Sequence, residues 1–276
     1  MRCDALVHFH HTAMILDASC EIHFTAKAHT PAILMLRPRS GYAQWIMREE
    51  YEITPSATVV EFTDSFGNLC QRVVLAPGQT TIRCACRVDT ADEIDVEPGV
   101  EFVPPQALPE AALQFLLPSR YCQSDMLGDL AAEIVGDGPT GYAQVEAIRR
   151  WLHTNLKYKY GQSTASTSAI DTAKTRIGVC RDYSHLGIAL CRALNIPARM
   201  VVGYLHRLDP MDLHAWFEAF VGGRWYVFDG TQDAPRGNRI SIAYGRDAAD
   251  VALVTQFGAL QLDEMKVMVT EAPVGR

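Results

Sequence analysis

The chain has no surplus of basic charge. Its 276 residues carry 25 Lys and Arg against 32 Asp and Glu, a net charge of −7. With no basic run or basic amphipathic stretch, that balance argues against a dedicated binder of nucleic acid or anionic membrane. Long apolar runs are missing as well. From Met1 to Phe24, His, Asp and Glu break up the hydrophobic residues every few positions. Nothing there has signal-peptide or transmembrane length, and a cytoplasmic location is the expectation. Disulfide and metal spacings are absent too. The cysteines (Cys3, Cys20, Cys70, Cys84, Cys86, Cys122, Cys180 and Cys191) follow no repeating interval. Cys84 and Cys86 are too close for a redox C-x-x-C pair and fit two positions on one strand face. In a reducing cytosol most of these thiols should be small buried hydrophobes. His8 and His10 share a strand face beside His11, but no carboxylate or thiol accompanies them at ligand spacing. Neither a metal nor an organic cofactor is expected.

What is present is ordinary globular material, 48% hydrophobic and 21% charged, in a chain long enough for two domains. The first hundred residues consist of strand candidates separated by turn chemistry. Val59–Phe62 and Leu69–Leu75 flank Gly67-Asn68, a hairpin signal, and Pro77-Gly78 marks a turn before a strand over Thr81–Val88. An antiparallel β-sandwich-like domain over residues 1–105 follows, closing at the proline-rich stretch around Pro98 to Pro109. Beyond it the period becomes helical. Asp125–Val135 and Gly141–Leu156 predict helices, the latter with Val145, Ile148, Trp151 and Leu152 on one face. Gly161–Ser168 is a polar loop. Cys180–Leu194 predicts a helix with the stripe Tyr183, Leu186, Leu190 and Leu194, ended by Asn195-Ile196-Pro197. Strands over 198–205, 214–221 and 224–228 follow, the last two joined by Gly222-Gly223. Residues 106–276 therefore form an α+β unit, helices first and an antiparallel sheet after.

Three segments carry chemistry. Gly178-Val179-Cys180-Arg181-Asp182 puts a cysteine at the start of a helix, where unpaired N–H groups and the dipole favour a thiolate and can stabilise an oxyanion. Cys191, mid-helix beside Leu190, reads as packing. His214 opens one strand and Asp229 closes the next. Across a hairpin turned at Gly222-Gly223 they become near neighbours, so Asp229 can fix the imidazole while its other nitrogen is left for a thiol. Hairpin geometry does not by itself dock this pair on the helix that carries Cys180. His185 and His206 read as packing or surface residues, and Trp151 and Trp216 as core aromatics.

The strings GVCRDYSHLGIALCRALNIPARMVVGY and HAWFEAFVGGRWYVFDGT resemble the core of the bacterial transglutaminase-like proteins. Shared are a G-x-C-x-D nucleophile helix, a C-R-A-L-x-I-P-A-R junction, H-A-W-x-E and a terminal F-D-x-T. The likeness covers residues 141–231, and Leu117 to Tyr121 resembles the segment joining that core to the family's N-terminal β-domain. It implies a papain-like core with Cys180 as nucleophile, His214 as base and Asp229 as orienting carboxylate. Gly230 departs from the family's usual proline, and acidic clusters that would make the calcium sites of animal transglutaminases are missing. The implied activity is a cysteine hydrolase acting on a peptide, protein or other amide substrate. An amine-accepting acyl transferase, or a binding protein that keeps the fold, are the alternatives. Tyr158 and Tyr160 are candidates for substrate contact or an oxyanion donor. Asp182 is a candidate for substrate contact, or else for helix-start stabilisation.

Overall fold

The computed structural model of the protein describes residues 13–41 and 44–272. His8, His10, His11 and Cys3 lie outside them. The chain begins with six strands: β1 (Ala13–Ala26), β2 (Thr30–Leu34), β3 (Gln44–Thr54), β4 (Val59–Thr63), β5 (Leu69–Leu75) and β6 (Gly78–Ala91). Their composition explains them. In β6 every second residue is buried (Ile82, Cys84, Cys86, Val88), and in β1 the same period buries Leu16, Ala18, Cys20, Ile22 and Phe24. Cys84 and Cys86 do share the buried face, and burial pushes the Cys86 thiol up to about 12.

A mixed unit follows: α1 (Glu110–Leu113), α2 (Gly128–Val135), α3 (Tyr142–Asn155), β7 (Lys157–Tyr158), α4 (Ala169–Thr175), β8 (Ile177–Gly178), α5 (Cys180–Ala193), β9 (Ala198–Leu205), β10 (His214–Val221), β11 (Arg224–Phe228) and β12 (Arg239–Gly245). The helix expected from Asp125 begins later, at Gly128, behind a 3-10 turn over Ser124–Met126. The antiparallel order β11-β10-β9-β12 makes the sheet of this unit. All of β9 is buried, and α5 lies against β9 and β10. That approach requires Gly187: a Cβ there would stand 2.6 Å from the Phe217 ring.

The chain then turns back. β13 (Val254–Gln256) pairs with β2, and β14 (Leu260–Glu271) pairs with β1. The N-terminal sheets are thus β14-β1-β6-β3 and β13-β2-β5-β4, both antiparallel. A division at residue 105, with everything beyond it in one α+β unit, therefore needs correcting for the last strands. Leu260 and Val269 of β14 are buried in the common core and supply the N-terminal sheet with a neighbour for β1. Among the described residues no helix is long and apolar enough to cross a membrane.

Candidate active site

The first turn of α5 is fixed by its own side chains. The Asp182 carboxylate reaches back and accepts the Val179 N–H at 2.8 Å, while the Val179 carbonyl accepts the N–H groups of Asp182 and Tyr183. Arg181 donates to Thr164 O at 2.8 Å and pairs with Asp182, tying the polar loop to the helix start. Cys180 is left as the first helical residue. It is partly exposed, whereas every other cysteine among the described residues is buried. Burial pushes the thiols of Cys122, up to about 12, and Cys191 above their ordinary range.

The β10–β11 hairpin supplies the second half. With Val221 opposite Arg224 across the glycine turn, His214 Nε2 donates to Asp229 Oδ2 at 2.7 Å, both side chains buried. Asp229 Oδ1 accepts the Thr231 hydroxyl at 2.7 Å and the Thr231 N–H at 3.0 Å. Burial works to lower the His214 pKa. The Asp229 charge and hydrogen bond, together with the Cys180 side chain bonded to the same ring, outweigh it and lift the value to about 9. On Asp229 burial acts upward, and His214 and Arg239 hold the carboxyl well below its usual range. Packing of α5 on β10 thus brings Cys180 to the imidazole.

Tyr158 also stands close to Cys180. Parallel pairing of β7 with β8 places it beside Gly178, and its hydroxyl oxygen accepts from the Cys180 backbone N–H. Burial first, then the nearby sulfur, pushes this hydroxyl far above its ordinary range, so it stays protonated. Tyr160 packs edge-on against Tyr158 with ring centroids 5.4 Å apart, and the two are 42% and 50% exposed.

The transglutaminase-like superfamily matches residues 128–230, and the bacterial transglutaminase-like N-terminal region matches residues 24–89. A crystal structure from Cytophaga hutchinsonii, described as a "putative cysteine protease", is 37% identical. It covers 96% of this chain and 93% of its own with a TM-score of 0.90. An uncharacterized protein of Mycobacterium tuberculosis (H37Rv) is 30% identical over 247 residues, 78% of this chain and 77% of that one. One from Mycobacterium leprae is 28% identical over 248 residues, 83% and 88% of the two chains. The chain belongs to the transglutaminase-like superfamily.

In this superfamily member the structure gathers Cys180, His214, Asp229 and Tyr158, with Tyr160 behind Tyr158. It does not bring Asp182 to the surface. Asp182 is 0% exposed and its carboxylate is taken by Val179 and Arg181, so substrate contact is replaced by the helix-start role. His185 is fully buried: Nε2 accepts the Ala248 N–H at 3.1 Å and the ring stacks on Tyr121. His206, also buried, instead lines a cleft of about 430 Å³ together with Arg207 and Arg236. Trp216 is core, while Trp151 is half-buried beneath the Arg176 guanidinium at 4.1 Å. Sequence reasoning missed Arg239, whose Nη2 donates to Asp229 Oδ2 at 2.9 Å. The available signal was the alternation in Arg239-Ile-Ser-Ile-Ala, a strand pattern opening on a charge.

Proposed function

We propose that this protein is a cysteine hydrolase that cleaves peptide or other amide bonds through a thioester on Cys180. The observation that carries the reading is the buried His214–Asp229 pair seated against the one partly exposed cysteine among the described residues. His214 Nδ1, opposite the nitrogen held by Asp229, holds the proton drawn from the Cys180 thiol, and Sγ attacks the substrate carbonyl carbon. The Tyr158 hydroxyl can donate to the oxyanion, and the Cys180 N–H joins it once it has released the Tyr158 oxygen. Collapse breaks the C–N bond, and the imidazolium gives its proton to the departing amine. Water then attacks the thioester, His214 takes a proton from it, and the acid and the free thiol are released. The likeness to the Cytophaga protein supports a protease reading.

A peptide-amide library screened with and without an added primary amine tests this. Hydrolysis products should dominate in both arms, and Cys180→Ala should lower turnover by about a thousandfold or more. Amine-linked products dominating would make the protein an acyl transferase, and turnover unaffected by Cys180→Ala would remove the thioester altogether. The same reading includes a reducing, cytoplasmic compartment. Cys20 and Cys84 face one another across β1 and β6 with free thiols, and recovering that pair from cells as a disulfide would overturn the location.

A further inference from the structure

Arg239, the first residue of β12, is 7% exposed and sits behind Asp229. Its Nη2 donates to Asp229 Oδ2 at 2.9 Å, the same oxygen that accepts His214 Nε2 at 2.7 Å. Two further contacts leave the guanidinium little freedom. Nε donates to Arg236 O at 2.9 Å, and the group lies over the Trp216 ring, 4.9 Å from its centroid. Trp216 itself is two residues from His214 on β10, so one ring supports both ends of the arrangement. We infer that Arg239 is a positioning residue that sets how tightly His214 holds its proton, by sharing the Asp229 oxygen that the imidazole uses.

The sign follows from simple electrostatics. A buried carboxylate with one cationic partner gives that partner its full attraction, and a second cation on the same oxygen reduces it. The groups facing His214 are Asp229 and the Thr231 hydroxyl beyond β11 and Cys180 on α5, while Arg239 on β12 reaches it through Asp229. Arg236 and Arg149 act more remotely, the latter already paired with Glu146. Removing Arg239 leaves Asp229 with the imidazolium as its near charge partner, so deprotonating His214 would strand a buried carboxylate. The imidazole becomes a stronger base.

For a thioester enzyme this matters in the second half-reaction. His214 must be neutral to accept a proton from the attacking water, and a more basic imidazole is charged at neutral pH for more of the time. Arg239 keeps it usable. The inference rests on the proposed roles of Cys180, His214 and Asp229, yet its decisive test needs no turnover. In a Cys180→Ala background, the His214 ring is titrated by NMR with Arg239 intact and with Arg239→Met or Arg239→Lys. Arg239→Met should raise the His214 pKa by about one unit or more, tenfold in proton affinity, whereas Arg239→Lys should restore most of the parent value. If Arg239→Met does not fold, Arg239→Gln retains a donor toward Asp229 without the charge, and the same upward shift is expected. An unmoved or lowered His214 pKa in the neutral variant that folds overturns the inference, whether or not the protein proves to be a hydrolase. In the Cys180 enzyme, the matching result is a thioester that accumulates at neutral pH and clears as pH is raised.

Discussion

Two histidines only 29 positions apart in the sequence have opposite proton affinities, and their surroundings account for it. His214 gains a carboxylate and is lifted to about 9, so its contribution to stability is complete below the unfolded value of about 6.5 and is lost as pH rises through 9. For His185 burial is the largest influence. Its Nε2 accepts a backbone N–H and therefore cannot carry a proton without breaking that bond. Burial, opposed by Asp247, holds it down to about 4. The stability it preserves is present above about 6.5 and drains away as pH falls toward 4. Chemical denaturation across this window should show wild-type stability falling by on the order of 3 kcal/mol, with His185→Gln flattening the slope. An equally steep acid limb in the variant would assign the loss to other groups.

At the scale of elements, the legible parts of the chain were those whose periodicity and punctuation agreed. The start of α5, the strands β9 to β11 and the Gly222-Gly223 turn were readable because apolar residues cluster in the strands and glycine, proline or a helix cap punctuates them. The His214–Asp229 contact was legible for the same reason, since one hairpin determines it. Three features were not. Helix α4 is only seven residues long and depends on Asp171 capping Ser168, a local bond too short-ranged to show as a period. β14 reads LQLDEMKVMVTE, with an exposed face that hides its role, and its partner β1 lies over 200 residues away. Arg239 belongs to a strand whose pairing is non-local, so nothing nearby announces Asp229 as its partner. Arg192 illustrates what such non-local bonds do for elements already formed. From inside α5 it donates to Ala198 O at 2.8 Å, Leu117 O at 2.9 Å and Arg246 O at 2.7 Å, joining the helix to β9, the entry segment and the end of β12. Arg192→Met should cost about 3 kcal/mol or more, because buried carbonyls lose their donors. Urea unfolding reads this directly, and a loss under about 1 kcal/mol would mean that water replaces the guanidinium.

Across the whole molecule, the N-terminal sheets meet the α+β unit at the free edge of β12. Two side-chain amides pair with that edge as a neighbouring strand would. Asn68 donates to Tyr244 O at 2.8 Å and accepts Tyr244 N–H at 3.0 Å. Gln44 accepts Ser241 N–H at 2.7 Å and donates to Ser241 O at 2.9 Å. Thr90 adds a hydroxyl to Arg239 O at 2.7 Å, on the very residue that reaches Asp229. An edge strand with unpaired N–H and C=O groups is thereby closed without continuing the sheet. These bonds hold β12 in place, and with it the guanidinium behind the carboxylate, so on the proposed mechanism the N-terminal β-region would bear on the site. Asn68→Leu combined with Gln44→Leu removes these four bonds at nearly constant volume while β9 continues to pair with β12 on its other side. Thermal unfolding should register a loss of about 2–4 kcal/mol from the orphaned backbone groups. In the Cys180→Ala background the His214 titration should also move upward, by less than with Arg239→Met, because the guanidinium is loosened and not lost. A fall in stability with His214 unmoved would show that the N-terminal sheets brace the core without steering the site.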